Sequence, residues 1–264
     1  NQRDGNMRES LKYLVVGDTI IDEDVYCKAA GLSLESPTLK TTYNMRKVNY
    51  GGAANVARHL HNFNRDVTFL TSIGSHNVVI LEDKYGIKVR NYYQGKPNTK
   101  TRYWVTHGDA TYKYLQINRV NDEESLAPVI DIDLSAYDII AIADYRCGFV
   151  IDSFVKQCLE AGKITYASSQ VSSHPSNYYR YEDFDYIVCN ERESKTISKK
   201  DNVCITKGSD GCSMNGVDYD SYKVDNPVNI IGAGDCFYAA LLATGDPDFA
   251  NMKAAEYVES EVYE

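Results

Sequence analysis

Asn229-Ile230-Ile231-Gly232-Ala233-Gly234-Asp235 sets a carboxylate directly after two glycines, ahead of a stretch from Cys236 to Ala243 with the residues of a helix. Glycines let backbone N–H groups approach a ligand closely, a helix N-terminus favours anions, and an aspartate at that point is placed to take a proton. Together these residue types suit phosphoryl transfer. The same string also reads as a close-packed turn with an aspartate cap, and spacing alone leaves both readings open. Asn190 and Glu193, three apart, read by themselves as a helix cap and its capping-box partner. Thr206-Lys207-Gly208 with Gly211 reads by itself as a strand running into a hairpin turn.

Other chemistries find little support. Neither Gly95-Lys96 nor Gly162-Lys163 sits in a G-x-x-x-x-G-K-S/T frame, and no G-x-G-x-x-G occurs, which disfavours a Walker-type NTPase and a simple dinucleotide enzyme. The seven cysteines, at 27, 147, 158, 189, 204, 212 and 236, include no C-x-x-C pair, so they read as reduced, buried thiols. His59 and His61 are two apart while His76, His107 and His174 stand alone, which is no metal-ligand signature. A formal charge of −9 over 264 residues disfavours nucleic acid and anionic membranes as partners, and still allows a small anionic substrate held by local basic groups. No apolar run approaches the roughly 18 residues of a membrane span. The polar start from Asn1 to Ser10 lacks a signal-peptide core, so a soluble, cytoplasmic protein is expected. Asn1 to Asn6 carries no fold argument.

The elements that must position these residues follow from periodicity. Leu11 to Val16 is a short apolar run ending at Gly17-Asp18, as expected of a buried strand opening onto a functional loop. Thr38 to Val48, Thr101 to Thr106 and Tyr112 to Asn118 are rich in Thr and Tyr and alternate, which predicts half-exposed antiparallel strands, with a turn at His107-Gly108-Asp109-Ala110. Gly52 to Asn64 carries Ala53, Val56, Ala57 and Leu60 at helical spacing after a Gly-Gly turn. Apolar runs then recur at Val67 to Thr71, Asp138 to Ala143, Ile164 to Ala167, Tyr186 to Cys189 and Val203 to Thr206. Helical candidates at Phe149 to Ala161 and Glu191 to Ser198 separate several of them. The alternation predicts a mostly parallel sheet covered by helices.

Four blocks in order resemble the ribokinase/PfkB carbohydrate kinase family: Val15-Val16-Gly17-Asp18 with Asp22, Gly51-Gly52-Ala53-Ala54-Asn55-Val56-Ala57, Asn190-Glu191-Arg192-Glu193, and Gly232-Ala233-Gly234-Asp235. Within it, Leu14 to Asp18 with Asp22 and Tyr26, Leu115 to Arg119, and Asp144-Tyr145 with Gly148 resemble the kinase domain of D-glycero-β-D-manno-heptose 7-phosphate kinases. The resemblance implies a three-layer α/β/α domain over residues 11–264 with a small antiparallel lid formed by about 38–50 and 99–119. It implies Asp235 as the base that deprotonates the acceptor hydroxyl, with the N–H groups of Ala233, Gly234 and Asp235, behind Gly232, facing the migrating phosphoryl group. Asp22, Gly51, Gly52 and Asn55 would contact the sugar. Arg102 on the lid could meet a substrate phosphate. Asp144 sits at the carboxyl end of a strand, where ligands gather in open α/β sheets. Asn190 and Glu193 would serve ATP and, through water, Mg²⁺, which prefers oxygen ligands and keeps several waters. Thr206, Gly208 and Gly211 would lie beside the nucleotide. A homodimer through the lid is expected.

The sequence also departs from that pattern. Where the heptose kinases carry Asp-Pro-Lys after a strand, Ile164-Thr165-Tyr166-Ala167-Ser168-Ser169 has no such pair, which opens the choice of sugar. Asn229-Ile230-Ile231 replaces the usual Asp-Thr-x, and Cys236 stands where Thr is common. Ser75 to Ile87 is short for the family, and the chain stops soon after Tyr257, which implies a shallow adenine pocket. The expectation is an ATP-dependent sugar or sugar-phosphate kinase. Its rivals are a ribose- or fructose-type kinase and a catalytically weak binding or regulatory protein of the same fold.

Overall fold

The computed structural model describes residues 8, 10–92, 96–121, 130–170, 175–198 and 201–260. His174, Gly95, the opening Asn1 to Asn6 and the final four residues of the expected domain lie outside them. Nine strands form one sheet: β1 (Lys12–Gly17), β4 (Asp66–Thr71), β5 (Lys88–Asn91), β8 (Ile139–Asp144), β9 (Ile164–Ser169), β10 (Tyr186–Asn190), β11 (Val203–Thr206), β12 (Cys212–Met214) and β13 (Val217–Tyr219). Their order is β13-β12-β11-β10-β9-β8-β1-β4-β5, parallel from β11 through β5 and antiparallel at β12 and β13.

The apolar runs form these strands because they are buried on both faces. In β1, Tyr13 and Val15 enter one hydrophobic cluster while Leu14 and Val16 enter the other, and Ile139/Ala141 against Ile140/Ile142 repeat the split in β8. Side chains alternate across a strand, so a continuous apolar run serves two cores. Helices α1 (Ala53–Asn62), α5 (Ala233–Thr244) and α6 (Pro247–Glu259) contribute to the first cluster, and α3 (Asp152–Glu160) to the second. This is the expected three-layer arrangement, with α2 (Ser75–Tyr85) packing Leu81 into the first cluster as well. Each buried Leu, Ile or Val contributes roughly 1.5–3 kcal/mol. All seven cysteines are buried free thiols, as their spacing implied. Among the described residues, no helix is long and apolar enough to cross a membrane.

The helix expected over Glu191 to Ser198 is a single turn, α4 (Glu191–Ser194). Thr196 ends it, since both its N–H and its hydroxyl donate to Glu193 O, at 2.9 and 2.7 Å.

A second sheet of order β3-β2-β6-β7 stands beside the large one. Its strands are β2 (Thr19–Leu32), β3 (Leu39–Gly52), β6 (Asn98–His107) and β7 (Ala110–Arg119). The hairpins β2/β3 and β6/β7 are antiparallel, the second with its turn at Gly108-Asp109, and they join in parallel through β2 and β6. Strand β2 was not apparent from periodicity. The two sheets meet where β1 runs through Asp18 into β2 and β3 runs directly into α1. Gly52 makes that junction: its φ is +66°, and a Cβ there would stand 2.5 Å from Asp18 O. Ala53 N donates to the same oxygen at 2.9 Å. Gly52→Ala should therefore lower the thermal midpoint, at a cost of roughly 1–3 kcal/mol. Calorimetry checks this, and an unchanged midpoint would show that the junction tolerates a side chain.

Candidate active site

The carboxyl ends of the parallel strands, the start of α5 and the first turn of α1 converge on a cavity of about 190 Å³, lined by Asp144, Tyr145, Asn190, Glu193, Thr206 and Asp235 among others. A larger cavity, about 470 Å³, lies on the far side of Gly234 and shares Gly234 and Thr206 with the first. Its wall is mostly apolar, with Pro227, Ile230, Phe237, Ala254 and Val258, and Gly208 and Gly211 border it.

Asp235 sits in the first turn of α5, where the helix dipole favours a negative charge. Tyr145, one residue beyond β8, donates its hydroxyl to Asp235 Oδ1, and Asn55 Nδ2 donates to Oδ2 at 3.1 Å. Arg58, one turn further along α1, donates to Asn55 Oδ1 at 2.9 Å and so fixes which end of that amide faces the carboxylate. Burial raises the Asp235 pKa from 3.8 to about 6, against the two hydrogen bonds and the Arg58 charge, which pull it down. At neutral pH the group is ionised but far more basic than an ordinary carboxylate. Burial and the neighbouring Asp235 charge push the Tyr145 phenol well above its usual value, so it stays a donor.

The loop carrying Tyr145 is held from below. Asp18, buried at the end of β1, accepts from Cys147 N at 3.2 Å and Phe149 N at 3.0 Å. Its pKa is raised to about 7 by burial and by the charge of Asp144 on the adjacent strand. The structure places Asp144 itself as an anchor rather than an open ligand group. Its carboxylate takes Arg146 N at 2.9 Å, Asn177 Nδ2 at 2.9 Å and the Tyr181 hydroxyl at 2.6 Å. Arg180 adds a longer contact at 3.4 Å.

Asn190 and Glu193 form a reciprocal capping box, with both bonds at 2.9 Å, and both also line the smaller cavity. The cap reading of that pair thus holds, and the cap also faces the cavity. Asp22 on β2 pairs with Arg102 on β6 at 2.9 Å, and a Cβ on Gly51 would meet Asp22 Oδ2 at 2.6 Å, so the glycine makes room for the carboxylate. Asp22 is near enough to raise the Tyr145 pKa, which ties the base of the second sheet to the cavity. Ala233 lines the larger cavity, but its N–H reaches Ile230 O at 3.5 Å, leaving Gly234 and Asp235 as the better-placed first-turn donors.

The pfkB family carbohydrate kinase pattern matches residues 10–246. The chain belongs to the pfkB family of carbohydrate kinases. It is similar to the bifunctional protein HldE of Trichlorobacter lovleyi, 24% identical over 272 residues that cover 89% of this chain and 55% of that one. The chain thus spans about half the length of the curated relatives it matches. Among solved structures, the ligand-free nucleoside kinase of Burkholderia thailandensis superposes with a TM-score of 0.72 at 16% identity, covering 94% of each chain. Ribokinase of Cryptococcus neoformans in complex with ADP gives 0.64 at 16% identity, covering 96% of this chain and 95% of that one. These structural likenesses speak to the fold.

In this pfkB-family chain, sequence reasoning passed over three residues of the site. Tyr145 and Asp18 were noted only within longer blocks, and Arg58 was not noted, although it follows Asn55 by three positions on one helix face. Tyr145 also supplies a test. A donor to the ionised carboxylate lowers its pKa, so Tyr145→Phe should raise that of Asp235. If Asp235 acts as the base in its ionised form, turnover should then fall more at pH 6 than at pH 8, with the acid limb of the pH profile displaced upward. A uniform loss at both pH values would show that the hydroxyl does not tune the base.

Proposed function

We propose that this chain transfers the γ-phosphoryl group of ATP to a hydroxyl of a sugar or sugar phosphate, with Asp235 accepting the hydroxyl proton. The observation that carries the reading is the desolvated Asp235 carboxylate on the wall of the smaller cavity, pKa raised to about 6, beside helix N–H groups and next to Gly234, which borders both cavities. The larger, mostly apolar cavity suits a nucleobase and ribose, and the passage past Thr206 and Gly234 suits the phosphates. The smaller, polar cavity beside Asn55 and Tyr145 then receives the acceptor hydroxyl. There Asp235 takes the proton as the N–H groups of Gly234 and Asp235 stabilise charge on the phosphoryl group.

No cluster of three His, Cys, Asp or Glu side chains that could hold a metal exists among the described residues. The donor set fits a hydrated Mg²⁺ carried on the nucleotide phosphates, with Glu193 at the cavity wall acting through water. When bound, Mg²⁺ would neutralise phosphate charge. The second sheet, strands β2, β3, β6 and β7, serves in this reading as a lid over the sugar, with Asp22 and Asn55 on its hydroxyls and Arg102 available to a substrate phosphate once its pairing with Asp22 loosens.

A heptose phosphate is the leading acceptor, supported by the likeness to HldE and by the block from Leu14 to Asp22. Ser168 at the cavity favours a second reading, an acceptor such as ribose or fructose, because it offers a hydroxyl near where the heptose kinases carry an acidic and a basic residue, while the Ser169 hydroxyl is committed to Asn177 Oδ1 at 2.6 Å.

A coupled assay of ADP release with ATP and Mg²⁺, across a panel of sugars and sugar phosphates, tests the proposal. The parent should turn over at least one acceptor, and Asp235→Asn should lose roughly 10²–10⁴ in rate. If no acceptor releases ADP faster than Asp235→Asn does, the kinase reading fails. The exposed Tyr43, Met45, Tyr112 and Tyr114 on the outer strands of the small sheet support pairing of two copies through it. Light scattering should give a dimer, and a monomer at working concentration would refute that assembly.

A further inference from the structure

The turn that leads into α5 is anchored in an unusual way. Ile230 and Ile231 are 70% and 86% exposed, so their side chains do not hold the turn in place, while the Asn229 amide donates to Ser260 O and, at 3.3 Å, to Ser260 Oγ just past α6. The backbone of the turn is also tied to the end of α6. Val228 N and Asn229 N both donate to Val258 O, at 2.7 and 2.9 Å, and the Tyr257 hydroxyl donates to Ile231 O at 3.0 Å. Gly232 follows with φ +93°, and a Cβ there would stand 2.8 Å from the Tyr257 oxygen, so the left-handed residue packs directly against that hydroxyl.

The Tyr257 ring has a second contact. It meets His59 edge to face, with centroids 5.1 Å apart and the planes at 89°. His59 is buried on α1, one turn beyond Asn55, the residue that binds Asp235. Burial and the neighbouring Arg58 charge lower its pKa to about 4, so the imidazole is neutral at physiological pH and packs as an aromatic ring. One side chain therefore touches both elements that set the position of the Asp235 carboxylate: the turn that starts α5 and the face of α1 that carries Asn55.

We propose that Tyr257 is a positioning residue for phosphoryl transfer, a strut from the last helix that fixes the turn at Ile231-Gly232 and thereby the direction of the first-turn N–H groups and of Asp235. It touches neither cavity's ligand in this account and acts through the backbone. The proposal rests on the kinase reading for its catalytic consequence, while the strut itself has a structural readout that needs no substrate. The Tyr257 strut holds the Ile231-Gly232 end of the turn, while the bonds of Val228 and Asn229 to Val258 and Ser260 hold its beginning.

Tyr257→Phe removes the hydroxyl and keeps the ring against His59, so the fold should survive. Two measurements decide the matter. Amide hydrogen exchange in the unliganded protein should speed up across residues 228–236, at the bonded N–H groups of Val228, Asn229, Ala233 and Cys236, and stay unchanged in β1 and β8, with the thermal midpoint close to the parent's. In the ADP-release assay, kcat should fall roughly five- to tenfold, the worth of one neutral hydrogen bond, while KM for ATP and for the acceptor stay within about twofold. Unchanged exchange at 228–236 overturns the strut. Faster exchange with an unchanged kcat overturns its role in transfer. If the parent itself turns over no acceptor, the kinase reading falls and the exchange result alone decides whether Tyr257 holds the turn.

Discussion

A carboxylate that has lost most of its water must find other donors, and three separate parts of the chain supply them to Asp235. The start of α5 offers its dipole, the loop after β8 offers the Tyr145 hydroxyl, and α1 offers the Asn55 amide. The remaining architecture can be understood as what brings those three ends together. The parallel sheet sets β1 and β8 side by side, so that Asp18 at the end of one strand grips the loop that leaves the other. Gly52 lets the second sheet and α1 start from the same point.

This arrangement costs stability and makes the Asp235 carboxylate more basic. A carboxyl whose pKa is raised on folding binds a proton in the folded state that the unfolded chain has released, so between about 3.8 and 6 its contribution to stability falls as pH rises. The full cost is present at neutral pH, where the group is an ionised and comparatively strong base. Asp18, raised from 3.8 to about 7, behaves in the same direction over a window that starts at the same point and extends further. The large hydrophobic clusters on both faces of the sheet offset such local losses.

Much of the fold was legible in the sequence because it is written in local pattern. The buried parallel strands announce themselves as unbroken apolar runs, and the hairpin at Gly108-Asp109 by its turn residues. Strand β2 was not legible, because Asp22-Glu23-Asp24 is a poor strand signal on its own. Its acids are satisfied by partners far away in sequence: Asp22 by Arg102, Glu23 by Arg46 and Thr101, and Asp24 by Trp104. The candidate site's location was legible where a single segment carries it, as at Gly234-Asp235 and at the capping box of Asn190 and Glu193, all of which line the smaller cavity. It was not legible where it depends on contacts between distant residues. Nothing local ties Tyr145 to Asp235, 90 positions away, and nothing in the apolar run before Asp144 shows that its carboxylate is already committed to Arg146, Asn177 and Tyr181.

The central claim is that the fold makes Asp235 a desolvated base. The most direct measurement is a carbon-13 NMR titration of the Asp235 side-chain carboxyl in the unliganded protein, assigned with the Asp235→Asn variant. The account predicts a midpoint near 6. A midpoint at or below the ordinary aspartate value, about 3.9, would contradict it, because the carboxylate would then be stabilised as an ion and poorly suited to take a proton.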